Sequence, residues 1–212
     1  MTIARLPFAL TAAAMLLGAC AHHAGVAVCA DGVKVPAWRG AITPGDFDRL
    51  RQLRTSFADA LTKAKAGGAS ARIAAEGELL DPDRSLPDPL PPPGAYRCRT
   101  VKLGAHGPAT HDFTAYPAMS CSIVQDGDAE RFEVTAGSQR PVGLFYPDGS
   151  ARAVFLGTLE LGDELTPIRY GLDTQRDMVG ALDRIGAHRW RLSLPAPHFE
   201  SLYDVIEITP AG

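Results

Sequence analysis

The sequence predicts a mainly β fold: a small antiparallel up-and-down β-barrel preceded by an amphipathic N-terminal helix, with a β-sandwich as the second architecture. Three observations carry this. From Gly94 onward hydrophobicity alternates with a period of two, turn signals separate the alternating runs, and glycine (21) and proline (17) interrupt the chain too often for long helices. A length of 212 residues, 46% hydrophobic and 21% charged, suits one globular domain with an appendage. The formal charge of −3 excludes a generic nucleic-acid binder, which would be basic.

Residues 1–19 read as a leader. Arg5 precedes an apolar run from Leu6 to Leu17 with no acidic residue, an n-region and h-region too short for a permanent transmembrane helix. Leu17-Gly18-Ala19-Cys20 resembles the lipobox of bacterial lipoproteins. That resemblance implies cleavage before Cys20, acylation of its thiol and amine, and a lipid anchor. More than one acyl chain, at ~0.8 kcal/mol per buried methylene, holds firmly. Ala21 rather than Asp after the cysteine implies the outer membrane by the enterobacterial sorting rule. The expected location is the envelope, facing the periplasm. Residues 20–66 are net basic and 67–212 net acidic, so the membrane-proximal part suits anionic headgroups at roughly 1 kcal/mol per well-placed cation, or is simply a solvated helix face.

Residues 20–42 are small and irregular and read as a flexible tether; His22 and His23 are adjacent there without further ligands, so no metal site is expected. Residues 43–68 form the amphipathic helix. Thr43 caps it, Pro44 suits its first position, and Asp46 stands three residues after the cap in a capping-box-like arrangement. Phe47, Leu50, Leu53, Phe57, Leu61 and Ala64 make its apolar stripe, Arg49, Arg51, Arg54, Lys63 and Lys65 lie mostly on the wet side, and Gly67-Gly68 ends it. Residues 69–93 connect helix to sheet. A short helix or packed arm is expected over 70–80, and the proline-dense stretch 81–93 must be extended.

The β domain spans 94–212, with strands expected over 95–103, 118–125, 130–137, 140–146, 151–161, 177–185, 188–194 and 202–209. Asp126-Gly127-Asp128, Pro147-Asp148-Gly149, Gly162-Asp163 and Ile185-Gly186-Ala187 supply turns. Closing such a meander removes its exposed edges. Of the four cysteines, Cys20 is assigned to lipid. Cys98 and Cys121 lie in strand-like contexts, and a bridge between them closes a loop of ~24 residues, worth on the order of 3 kcal/mol. Cys29 is then a free thiol, an intermolecular partner or a competitor for that bridge. No C-x-x-C supports a redox pair or zinc ribbon.

Pro93-Gly94-Ala95-Tyr96-Arg97-Cys98-Arg99, Gly137-Ser138-Gln139-Arg140-Pro141-Val142-Gly143, Val154-Phe155-Leu156-Gly157 and Arg189-Trp190-Arg191-Leu192 together resemble DUF4893, a family of uncharacterised bacterial proteins, over about residues 38–209. The resemblance implies no activity and carries over no catalytic residue.

Catalytic motifs are absent from the sequence: no nucleophile elbow, H-E-x-x-H, P-loop or dinucleotide fingerprint. Ser138 is the most enzyme-like serine, with His106, His111, His188 and His198 as bases in principle, but its context is that of a turn residue. Asp204 and Glu207, three apart on a strand, point to opposite faces, which does not suit paired-carboxylate chemistry. The candidate binding residues are Arg97, Arg99, Lys102, Arg140 and Trp190. Arg97 and Arg99 share the strand face opposite Tyr96 and Cys98, and Arg140 suits a barrel mouth where it would clamp a carboxylate or phosphate. The more ordinary reading of these cations is a surface role paired with acidic neighbours, and that of Trp190 is a core anchor.

The expected function is a non-enzymatic, lipid-anchored barrel holding a small ligand, with no cofactor. The alternatives are a protein-interaction module, such as a periplasmic protease inhibitor or envelope assembly factor, and an unrecognised hydrolase. An interior of Gly and Ala favours a ligand and one of bulky residues a filled core. Gly143, Gly157 and Gly180 stand beside Phe132, Phe155 and Trp190, so sequence leaves the choice open.

Overall fold

The structure, a computed structural model, describes residues 36–107 and 110–212 and, before them, the backbone of three short strands. Residues 1–19, which the sequence reads as a leader, and Cys20 and Cys29 lie outside the described residues. The short strands β1 (Ala21–His23), β2 (Val26–Val28) and β3 (Lys34–Pro36) pair as an antiparallel meander in the segment read as a tether. Helices α1 (Trp38–Ala41), α2 (Pro44–Arg51), α3 (Leu53–Ala64) and α4 (Ser70–Glu76) follow.

Thr43 caps α2, its Oγ1 accepting from the Asp46 N–H at 3.3 Å. The reciprocal half of a capping box is replaced by a relay. The Thr43 N–H donates to the Tyr170 hydroxyl (3.1 Å), which donates to the Asp46 carboxylate (2.6 Å). The stripe predicted as one helix face is divided at Gln52, whose φ of −92° and ψ of 4° separate α2 from α3. Phe47 and Leu50 pack with Trp38, Val154, Leu156 and Val179, whereas Leu53, Phe57, Leu61 and Ala64 pack on Val101, Leu103, Tyr203 and Val205. The Phe57 ring stacks on Tyr203 with centroids 4.5 Å apart. At Gly68 a φ of +84° reverses the chain into α4.

The sheet is a closed antiparallel barrel of eight strands in meander order: β4 (Gly94–Ala105), β6 (Met119–Asp126), β7 (Ala129–Val134), β8 (Gln139–Pro147), β9 (Ala153–Leu161), β10 (Asp177–Gly186), β11 (Arg189–Pro195) and β12 (Ser201–Pro210). Pairing of β12 with β4 closes it, so each of these eight strands has a neighbour on both sides. The short strand β5 (Phe113–Ala115), which the sequence pattern does not reveal, continues the line of β6 along β4. Cys98 and Cys121 form a disulfide across β4 and β6, with Cα atoms 5.9 Å apart.

Alternation sorts the strands into two faces. Val101, Leu103, Ala181, Tyr203 and Val205 face outward under the helical arm, while Tyr96, Phe132, Phe145, Phe155, Trp190 and Leu192 face inward. Phe132, Phe145 and Phe155 form one aromatic cluster with centroids 5.2 to 6.0 Å apart. Leu90 of the proline-rich connector packs against this interior cluster, and Pro92 accepts a hydrogen bond from the Tyr96 hydroxyl (2.5 Å). The connector therefore covers the filled end. No helix among the described residues is long and apolar enough to cross a membrane.

Candidate functional site in the barrel mouth

The interior is filled over only part of its length. At the opposite end, where β4 and β11 finish and β8, β10 and β12 begin, lies a cavity of about 170 Å³ that opens outward. Its walls are apolar: Met119, Val134, Leu159, Met178, Leu194 and Ile206. Two methionines let such a wall adapt to shape.

Polar groups enter this apolar space from two sides. On β4, Thr100 and Lys102 share the inward face with Cys98, so the strand that is apolar at the filled end becomes polar at the mouth. The Lys102 ammonium donates to the Asp204 carboxylate at 3.0 Å and pairs with Glu200 at 3.3 Å. Asp204 is buried, and its other oxygen accepts from the Ser201 hydroxyl. Burial opposes the charge on Lys102, but the two carboxylates outweigh it and hold its pKa above the ordinary lysine range. Burial likewise pushes Asp204 up, against the pull of Lys102 and Ser201.

On the other side α2 delivers Arg49. Its guanidinium pairs with Asp46 and donates to the backbone carbonyls of Asp177 (2.7 Å) and Ala196 (3.1 Å). Asp177 accepts from the Gly171 N–H at 2.9 Å, and its Oδ2 is buried without a partner among the described residues. Burial raises the Asp177 pKa, while burial and the nearby Arg49 cation lower that of His198. Arg49, Asp177 and His198 all line the cavity.

The five predicted binding residues have different places. Lys102 is in the mouth. Arg97 is exposed and donates to the Ala118 carbonyl (2.9 Å), bracing the interruption between β5 and β6. Arg99 lies on the outer face and holds α4 to the barrel, through Glu76 at 2.9 Å and Glu207 at 2.7 Å. Arg140 ties the rim together, bonding Glu160 (3.2 Å) and the carbonyls of Gly137, Leu161 and Glu164. Trp190 is buried at the filled end, edge-on to Tyr96 at 6.0 Å. None of these four lines the cavity.

Asp204 and Glu207 point to opposite faces, as a spacing of three on a strand requires: Asp204 turns inward to Lys102 and Glu207 outward to Arg99 and Arg189. Ser138 and His198 both line the cavity, but Ser138 forms no hydrogen bond to a base among the described residues. Nor is there a cluster of three metal-ligating side chains among them. Sequence reasoning missed Arg49, Asp177 and Glu200. Arg49 reads as one cation on a wet helix face, and only docking of α2 brings it to the rim.

The family model described as a domain of unknown function, DUF4893, matches residues 38–208. No curated protein and no solved structure matches the chain.

Proposed function

The chain belongs to the DUF4893 family, and from that premise, which assigns no chemistry, we propose that it is a non-enzymatic β-barrel module that binds a small ligand in its open mouth. The observation that carries this is the division of the interior: aromatic rings fill one end, and an apolar cavity of about 170 Å³ with a few convergent polar groups occupies the other. That combination is the usual composition of small-molecule sites. The lipobox-like Leu17-Gly18-Ala19-Cys20 supports placing this module at the cell envelope, anchored through acylated Cys20 and facing the periplasm, at the outer membrane. Exposed Leu165 and Leu172, on the long β9–β10 connection, support a second reading as a protein-interaction module.

Native mass spectrometry of the purified protein tests the proposal. A reproducible excess mass that disappears on denaturation is expected. A bare mass, with no uptake from an envelope extract, overturns ligand binding and moves attention to cross-linked protein partners. Metabolic labelling with an alkyne fatty acid tests the anchor: label is expected on the wild type and lost in Cys20→Ser, and label retained by that variant overturns it.

A further inference from the structure

The two carboxylates that hold Lys102 differ in kind. Asp204 sits on β12, is buried, and has its second oxygen committed to Ser201. Glu200 sits on the β11–β12 connection, and its side chain is 42% exposed. One partner belongs to the framework, and the other lies at the opening and is replaceable.

The connection that carries Glu200 is held at both ends rather than packed. Glu200 itself has φ of 67° and Ala196 φ of 45°, both left-handed conformations that side chains other than glycine adopt at a cost. Lys102 restrains the Glu200 end, and Arg49 restrains the other through the Ala196 carbonyl. Phe199, between them, is 41% exposed on the cavity rim. The backbone of the connection is pinned apart from that contact, since the Glu200 carbonyl accepts from the His106 N–H at 3.0 Å and the Ala196 N–H donates to the Leu202 carbonyl at 3.0 Å. Removing the Lys102–Glu200 contact therefore releases the Glu200 side chain alone.

We propose that the occupant of the mouth is a small amphiphile with a single carboxylate head, which takes the place of Glu200 on Lys102 while its apolar chain lies along Met119, Leu159, Met178 and Ile206. This rests on reading the mouth as a ligand site. Charge selects the head group. Exchanging the Glu200 carboxylate for that of a ligand leaves the charge around Lys102 unchanged. A neutral head removes a partner from a buried ammonium, and a cationic head is placed against it. The walls select the tail, because Met119, Leu159, Met178 and Ile206 offer it apolar side chains only.

Calorimetric titration of the full chain with octanoate, octanol and octylamine at neutral pH tests this. Octanoate is expected to bind about tenfold or more tighter than either comparator. Glu200→Gln, at an exposed position that leaves folding intact, is expected to tighten octanoate several-fold by removing the competitor. Lys102→Met, which leaves the buried Asp204 carboxylate with Ser201 alone, is expected to weaken octanoate more than octanol. Octanol or octylamine binding as well as octanoate, or no response to Glu200→Gln, overturns the carboxylate assignment and leaves the cavity reading standing. Binding of none of the three, to wild type or Glu200→Gln, together with a bare native mass, overturns both.

Discussion

Glu130 faces the filled end of the barrel, two residues before Phe132 on β7, and its Oε2 is buried without a partner among the described residues. Desolvation pushes its carboxyl up to about 7, and its charge helps burial to raise the Tyr96 phenol. Because the folded-state pKa exceeds the unfolded one, folding favours the protonated acid. Stability is therefore full below the ordinary glutamate range and is lost as pH rises through about 7. Thermal or urea unfolding at acidic and mildly alkaline pH is expected to show this decline. Glu130→Gln is expected to flatten it and to stabilise the protein at alkaline pH by about 2 kcal/mol. An unchanged pH profile in the variant would show that Glu130 reaches water. Lys102 presents the opposite situation at the other end, since its buried charge has two carboxylates and remains on.

At the level of elements, strands β8 and β9 meet at Gly143 and Gly157, which are direct partners in register. A Cβ on Gly157 would lie 2.3 Å from the Val142 carbonyl and 2.5 Å from the Phe155 ring; one on Gly143 would lie 2.4 Å from the Leu156 carbonyl. The pair lets the two strands curve tightly and gives Phe155 its shelf, as closure of a small barrel requires. Gly157→Ala is expected to destabilise by roughly 3 kcal/mol, read as a lowered urea midpoint, because backbone must move to admit the methyl group. A wild-type midpoint would mean that the strands hold their curvature without the glycine. Alternation legible in the sequence places the eight long strands within a few residues of their observed limits. It misses β5 because a three-residue strand beside an interruption has too few positions to show a period. The helix stripe was legible as a pattern, but its division at Gln52 was not, because each half is apolar for a different partner surface.

For the molecule as a whole, arm and barrel are joined through Arg191. Its guanidinium is 1% exposed on the outer face of β11, pairs with Asp183 at 3.0 Å, and donates to the Arg84 carbonyl at 2.9 Å and to that of Asp81. It thereby satisfies the backbone where the connector leaves the helical arm. Arg191→Met leaves these carbonyls without their donor and the buried Asp183 carboxylate with Arg152 as its remaining partner, and a loss of about 3 kcal/mol is expected in equilibrium unfolding. Far-ultraviolet and near-ultraviolet transitions of the wild type are expected to coincide, since Phe57 and Tyr203 share one core. A normal midpoint for the variant would show that the apolar face of the arm and the Arg99–Glu76 pair hold it without Arg191.

The amino-acid sequence by itself determined the class of fold, the order of the long strands, the position of the helical arm and the disulfide between Cys98 and Cys121. These follow from local periodicity, turn chemistry and the paired strand contexts of two cysteines. Only the tertiary structure decided that the interior is filled at one end and open at the other, and that Lys102 alone among the predicted binding residues enters the opening. It also brought Arg49, Asp177 and Glu200 to one rim. The physical reason is that alternation specifies which face a side chain occupies but not its height along the barrel axis. That height is set by strand register and closure, which depend on pairings between residues distant in the chain.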